Sequence, residues 1–259
     1  MDTDPFDQRL AAWQAWCEAP WGRLRFAVVR ETLRRQVEAL GGGPLRVLDV
    51  GGGDGRDAVP LAQAGHQVTI LDPAPSWLAE AGRRAAEAGV ADRVRTVEGS
   101  IDDLGPAGDG YDLVLCHFVL HYRPADAGDL DRLAAAVRPG GRLSVMAPNP
   151  DARVVMRLTR EGPEAALAEL ASDAYDSATF ATTGRKVGAD EVAEALAAAG
   201  LEVVGRYAAR VANDYVADDA LKHDPAYYAA LERLELALCD REPFVRLGGM
   251  WQLVATRFT

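Results

Sequence analysis

The sequence is poor in lysine: of its 28 basic residues only Lys186 and Lys222 are lysines, and the rest are arginine. That bias fits a GC-rich genome as readily as a function. Against 39 acidic residues the formal net charge is −11, so no overall field draws the chain onto phosphate backbones or anionic lipid. Any nucleic-acid contact must rest on local patches. Cysteine is scarce as well. Cys17, Cys116 and Cys239 are widely spaced and form no CxxC pair, a pattern that points to neither a disulfide framework nor a metal site; buried, reduced thiols are expected. No apolar run approaches the ~18 residues of a membrane helix, and the opening MDTDPFDQRL has neither the basic nor the apolar part of a secretion signal. A soluble, cytoplasmic protein with no membrane partner is expected. Internal repeats and low-complexity segments are also absent. What is present is an ordinary globular composition, 49% hydrophobic and 26% charged over 259 residues, enough for one α/β domain with an elaboration.

Trp13, Trp16, Leu24, Phe26, Val29, Leu33 and Val37 recur at roughly helical spacing, which predicts two N-terminal helices within residues 1–40, broken near Pro20-Trp21-Gly22. After Gly41-Gly42-Gly43-Pro44 the pattern becomes strand and helix in alternation. Strands are expected at 45–50, 67–71, 93–97, 112–116, 142–147, 201–211 and 249–257, with helices at 75–88, 125–137 and 189–199 among those between them. Repeated βα units of this length imply a doubly wound, mostly parallel sheet of seven strands, with the last strand antiparallel. Residues 148–187 lose the rhythm and read as an inserted helical cap, and a second insertion is expected within 213–246. The expected organisation is thus N-terminal helices over residues 1–40, covering the site, and a ligand-binding domain over 41–259.

Asp49-Val50-Gly51-Gly52-Gly53-Asp54-Gly55 falls where the first strand turns into the first helix, and glycine there lets backbone approach a ligand without a Cβ clash. The stretch Gly53 to Ala58 also satisfies the GxGxxG/A dinucleotide fingerprint, a weak signal on its own. Asp49 leans away from a dinucleotide, because a carboxylate two residues before Gly51 repels a pyrophosphate and suits an ammonium. Asp72, at the end of the second strand, suits ribose hydroxyls of either kind of cofactor. The chain closes on a glycine-led strand in place of a second mononucleotide-binding half.

With Asp49, Gly51, Gly53, Gly55, Asp72 and the turn Arg138-Pro139-Gly140-Gly141 in view, the chain resembles the class I methyltransferases that use S-adenosylmethionine, and so a Rossmann-like fold is implied. A narrower resemblance, over nearly the whole chain, is to the tRNA 5-carboxymethoxyuridine methyltransferase family. Its marks are Phe6-Asp7, Gly22-Arg23-Leu24-Arg25, His117-Phe118-Val119-Leu120, Asn149, Arg210-Val211 with Asp214-Tyr215, Glu242-Pro243 and Leu247-Gly248. The resemblance implies that Arg25 holds the cofactor carboxylate, that Gly51, Gly52 and Gly53 lie under the methionine part, and that Asp72 takes the ribose. It puts Pro73 and Trp77 beside the adenine. Ser100 and Ile101 stand where many relatives keep an acid for the adenine amino group, leaving the Ile101 backbone, the Ser100 hydroxyl or Asp102 for that contact. His117 ends the fourth strand, where methyl group and acceptor meet.

Methyl transfer from a sulfonium is an in-line displacement, and aligning donor with acceptor can supply about 7–11 kcal/mol. A carboxylate needs no general base, whereas a phenol or alcohol benefits from one, and His117 and His121 are the candidates. Tyr122, Asn149, Arg153, Arg210 and Tyr215 are candidate acceptor contacts, an arginine fork being suited to a carboxylate. Methyl-ester formation on a carboxylate is the favoured chemistry. The acceptor remains open between a tRNA, a small molecule and a peptide, and natural-product or peptide tailoring at O or N is the alternative; an NAD-dependent oxidoreductase and a silent binding module are remote ones. Arg153, Arg157 and Arg160, with Arg30 and Arg34, are the available basic footprint. Oligomeric state is not legible.

Overall fold

The computed structural model describes residues 9–105, 110–177 and 179–258; Phe6-Asp7 lies outside them. Helices α1 (Leu10–Glu18) and α2 (Pro20–Ala39) are separated by extended Ala19, and Pro20 opens α2 where its missing N–H costs nothing. A Cβ on Gly22 would stand 2.2 Å from the Trp16 carbonyl, so glycine is what lets α1 fold back onto α2. One face of α2 buries Leu24, Val28, Val29 and Leu33, together with the polar Arg25, Thr32 and Gln36.

The alternating part follows as β1 (Arg46–Val50), α3 (Ala58–Gln63), β2 (Gln67–Asp72), α4 (Pro75–Glu87), β3 (Val94–Glu98), β4 (Tyr111–His117), α5 (Asp129–Ala136) and β5 (Val137–Pro148). Next come α6 (Pro150–Glu161), α7 (Pro163–Ala171), β6 (Ala174–Ser177), β7 (Thr182–Arg185), α8 (Ala189–Ala198), β8 (Leu201–Ala209), α9 (Pro225–Leu238) and β9 (Met250–Arg257). Seven strands form one sheet in the order β3-β2-β1-β4-β5-β9-β8. β9 runs antiparallel to both its neighbours and the other pairings are parallel, the mostly parallel, doubly wound sheet expected of a Rossmann-like methyltransferase. Because side chains alternate across a strand, Val47, Leu113 and Leu115 enter a core shared with Val28, Val59 and Leu78, while Leu48, Val114 and Cys116 enter another with Leu133 and Leu196. The strand order reverses between β1 and β4, and there the carboxyl ends of the strands part to leave a crevice.

Three boundaries and one element differ notably from the sequence reading. α5 begins at Asp129 and not at 125, because Gly128 takes a left-handed conformation (φ 70°) just before it. β5 begins at Val137 and takes in Arg138-Pro139-Gly140-Gly141, its pairing with β4 shifting register between Tyr111 and Leu113. β8 stops at Ala209 because Arg210 has φ 62°. The segment expected to be a helical cap also holds an antiparallel hairpin, β6–β7. Cys17, Cys116 and Cys239 are buried free thiols. Among the described residues no helix is long and apolar enough to cross a membrane, and no cluster of His, Cys, Asp and Glu could hold a metal ion.

Candidate active site

A cavity of about 370 Å³ opens over the carboxyl ends of β1, β2 and β4, within the size range of small-molecule sites. Its floor is the glycine loop. Gly51 (φ 69°) and Gly53 (φ 52°) adopt a backbone that L side chains resist, and a Cβ on either would meet Val119 at 2.3 Å or the Trp77 ring at 2.8 Å. Asp72 braces the loop, its Oδ2 accepting from the Gly53 N–H and its Oδ1 from the Ala74 N–H, both at 2.9 Å. Under the loop Asp49 is buried with no partner for Oδ2. Burial first, then the charge of Asp57, holds its carboxyl pKa well above the usual carboxylate range, against the pull of Arg25.

Arg25 reaches the cavity from α2, where only 2% of it is exposed, and its Nη1 and Nη2 donate to Asp57 Oδ1 and Oδ2 at 2.5 and 2.7 Å. Burial acts to raise the Asp57 carboxyl, but the Arg25 charge and the hydrogen bond to His117 prevail and hold it well below its ordinary value. His117 Nδ1 lies 2.8 Å from Asp57 Oδ2 and Nε2 lies 2.8 Å from the Ser144 hydroxyl. Burial lowers the pKa of this imidazole despite Asp57.

Over the other side, Trp13 of α1 stacks on Trp16 at 5.2 Å and meets Phe180, beside the β6–β7 turn, at 5.8 Å between ring centroids. Trp13 also donates from Nε1 to Asp54, in the glycine loop, at 3.1 Å. His121 is buried, and burial with the nearby Arg185 pushes its pKa down to about 3; its Nδ1 is unpartnered. Burial also pushes the Tyr122 phenol up to about 12. Arg210 donates from Nε and Nη2 to Asp214 Oδ1 at 2.8 and 2.6 Å. The loop carrying both is held by Glu235, whose buried carboxylate accepts the N–H groups of Val211, Ala212 and Asn213 at 2.7–2.9 Å.

The family pattern described as a methyltransferase domain matches residues 47–141. Over 228 residues, 88% of this chain and 85% of the relative, the sequence is 30% identical to tRNA 5-carboxymethoxyuridine methyltransferase of Escherichia coli strain K12. The chain belongs to the S-adenosylmethionine-dependent methyltransferases. A second relative is the ubiquinone biosynthesis O-methyltransferase of Methylobacterium sp. strain 4-46, 32% identical over 210 residues, 76% of this chain and 80% of that one. In fold, the methyltransferase is similar to magnesium protoporphyrin IX methyltransferase from Synechocystis PCC 6803 with bound S-adenosylhomocysteine. That likeness has a TM-score of 0.66 at 17% identity and covers 98% of this chain and 97% of the other. It is similar also to 1,6-didemethyltoxoflavin-N1-methyltransferase of Burkholderia thailandensis, with a TM-score of 0.58 at 22% identity over 98% and 85% of the two chains. The cofactor is S-adenosylmethionine, so the oxidoreductase reading falls away, and the relatives do not favour the tailoring alternative.

In this methyltransferase Arg25, Asp49, Gly51, Gly52, Gly53, Asp72, Pro73, Trp77, Ser100, Ile101, His117, His121, Tyr122 and Arg210 all line the one cavity. Asn149, Arg153 and Tyr215 are not among its lining residues. Asn149 Nδ2 donates to the carbonyls of Arg246 and Gly248 and its Oδ1 caps α6, so it ties β5 to the chain before β9. Arg153 pairs with Glu169 at 3.1 Å and lies over the back of the Tyr175 ring. Tyr215 donates its hydroxyl proton to the Leu247 carbonyl. Most of the expected basic face is ion-paired: Arg157 pairs with Glu161, Arg160 lies 3.8 Å from Asp219, and Arg34 pairs with Glu31 and Glu38, whereas Arg30 is exposed. Where the adenine contact is expected, Asp102 is held by Arg123 at 2.7 Å, and the Ser100 hydroxyl is engaged with Asp103 and the Asp102 N–H. Sequence reasoning missed Asp57 and Phe180 as lining residues. The GxGxxG/A match did pass through Asp57, but no motif singled out Phe180.

Proposed function

We propose that this methyltransferase esterifies a carboxylate, transferring the methyl group to an oxygen of a compact acid or of a carboxylate-bearing modified nucleoside. The observation that carries the reading is that neither histidine of the cavity wall is a competent base: His117 has both nitrogens engaged, and His121 is far too weakly basic. An acceptor that is already an anion needs none. Arg210, with only Nε and Nη2 committed to Asp214, keeps Nη1 to orient such an anion. The names of both curated relatives, a tRNA carboxymethoxyuridine methyltransferase and an O-methyltransferase, support oxygen as the acceptor atom.

S-adenosylmethionine supplies a methyl group on a sulfonium, which leaves as a neutral thioether. The buried, unpartnered Asp49 carboxyl fits its ammonium, and the nearby Arg25 fits its carboxylate. Asp72 takes the ribose, Pro73 and Trp77 flank the adenine, and the Ile101 backbone reads its edge. His117 and His121 act as neutral walls that help align the acceptor, with Tyr122 beside them. Helices α1 and α2 cover the site, and the described residues of the segments near 148–187 and 213–246 cap it. Among the acceptors open in the sequence, a nucleoside or small acid accounts better than an extended tRNA surface for the ion-paired state of Arg153, Arg157 and Arg160.

The test is transfer of labelled methyl from S-adenosylmethionine to bulk tRNA and, separately, to a panel of small carboxylic acids, followed by mild alkali. Release of the label by alkali is expected; an alkali-stable product overturns the ester, and the arm that labels identifies the acceptor class.

A further inference from the structure

Behind the cavity, six polar side chains from five parts of the chain close a ring, all of them buried but Asp57, which is 11% exposed. Arg25 of α2 donates to Asp57, Asp57 meets His117 Nδ1 at the end of β4, and His117 Nε2 meets the Ser144 hydroxyl of β5 at 2.8 Å. Gln252 of β9 donates from Nε2 to Ser144 Oγ at 2.9 Å, and its Oε1 accepts from the Thr32 hydroxyl at 2.8 Å, which returns the ring to α2. Thr32, Ser144 and Gln252 are each 1% exposed or less and none lines the cavity.

The directions of these bonds decide the state of His117. Gln252 Nε2 can only donate, so Ser144 accepts from it and its single proton is free to go to His117 Nε2. His117 then carries its proton on Nδ1 and gives it to Asp57. If the Gln252 amide were turned over, its oxygen would take the Ser144 proton, and Thr32 could still donate to the Val29 carbonyl at 3.0 Å. His117 Nε2 would then have to donate as well, which requires an imidazolium. The orientation of one amide is therefore coupled to the charge of a histidine in the cavity wall. The charged groups facing that histidine are Asp57, from the glycine loop, and Arg25, from α2.

We infer that Ser144 and Gln252 are positioning residues that hold His117 as the neutral Nδ1–H tautomer, so that Asp57 stays the counter-charge of Arg25 and no second cation faces the sulfonium. This rests on the assignment of Arg25 and His117 to the cofactor end of the cavity. A neutral wall matters because an imidazolium would repel S-adenosylmethionine, which carries the sulfonium, and not the thioether product.

Nitrogen-15 NMR of the histidine rings, with His117→Asn to identify the signals, reads the tautomer directly. A protonated Nδ1 and bare Nε2 near neutral pH are expected; the opposite tautomer or an imidazolium in the wild type overturns the inference. Ser144→Ala is expected to lose the single-tautomer signature and to bind S-adenosylmethionine about two- to tenfold more weakly by calorimetry, the scale of one hydrogen bond, while S-adenosylhomocysteine binds as before. Ser144→Thr, which keeps the hydroxyl, should retain both signature and S-adenosylmethionine affinity; equal affinity in the alanine variant counts against a positioning role. Gln252→Glu, whose ionised side chain only accepts, is expected to convert His117 to the imidazolium and to weaken S-adenosylmethionine more than S-adenosylhomocysteine. An unchanged ratio of the two affinities removes Gln252 from the device. A wild type with the expected tautomer but an alkali-stable product refutes the ester and leaves this inference standing.

Discussion

At one end of the cavity the lining comes from a short stretch of chain: Asp49, the glycines, Asp54, Asp57 and Asp72 all lie on or between β1 and β2. At the other end, the segment after β4, the β6–β7 hairpin and the loop after β8 each contribute residues that are remote in sequence. The first end is acidic and braced by backbone N–H groups, and the second is aromatic with arginines at its edge. The difference teaches that the first end, to which the proposed function gives the cofactor, is a local motif which carries its own geometry, whereas the end proposed for the acceptor is assembled by the sheet from segments remote in sequence.

The sharpest way to separate the two ends is Asp49→Asn. Loss of a charge-assisted contact to an ammonium, worth about 1.5–3 kcal/mol, should weaken S-adenosylhomocysteine by about tenfold to over a hundredfold. The free protein should become more stable. With a carboxyl raised above its ordinary 3.8 in the folded chain, the native state is favoured while the group is protonated and loses that advantage as pH rises through the folded value. The gain in Tm over wild type is therefore expected to grow with pH above about 4 and to vanish below it. Weaker binding without that stability gain would break the account of the buried, unpartnered carboxyl.

Arg210→Ala should act at the opposite end only, raising acceptor KM about tenfold while S-adenosylhomocysteine binds as before. A drop in cofactor affinity would show that the ends are not independent. Trp13→Ala removes the clasp between α1 and the hairpin that joins the two ends. An aromatic pair contributes about 0.5–1.5 kcal/mol, so a two- to tenfold faster release of S-adenosylhomocysteine is expected in stopped flow. The smallest effect concerns pH. With the His121 pKa near 3, its ring stays neutral at every pH above that, and kcat/KM should show no histidine inflection between about pH 5.5 and 7.5. An inflection that Phe at position 121 abolishes would return His121 to the role of a base.

The alternation of apolar strands with helices was legible because each βα unit writes its own pattern, and the ends of β1, β2 and α4 fell within a residue or two of the expected places. The β6–β7 hairpin was not, since Ala174–Ser177 and Thr182–Arg185 are short, polar and without strict alternation. Arginines were the hardest to read. Arg25, Arg153 and Arg210 look alike in sequence, yet Arg153 spends its guanidinium on Glu169 behind the wall while the other two line the cavity. Asn149 stood at the right sheet edge but turned its amide to the carbonyls of Arg246 and Gly248.

The sequence by itself determined the glycine loop, the acids at the ends of β1 and β2, and the doubly wound order of elements, because local backbone conformation and hydrophobic period are encoded over a few residues. Only the tertiary structure decided which of the arginines are ion-paired, that burial pushes the His121 pKa down to about 3, and that Ser144, Gln252 and Thr32 complete a ring behind His117. Those outcomes depend on desolvation and on partners as many as 220 residues apart in the chain. No short-range pattern encodes that kind of proximity.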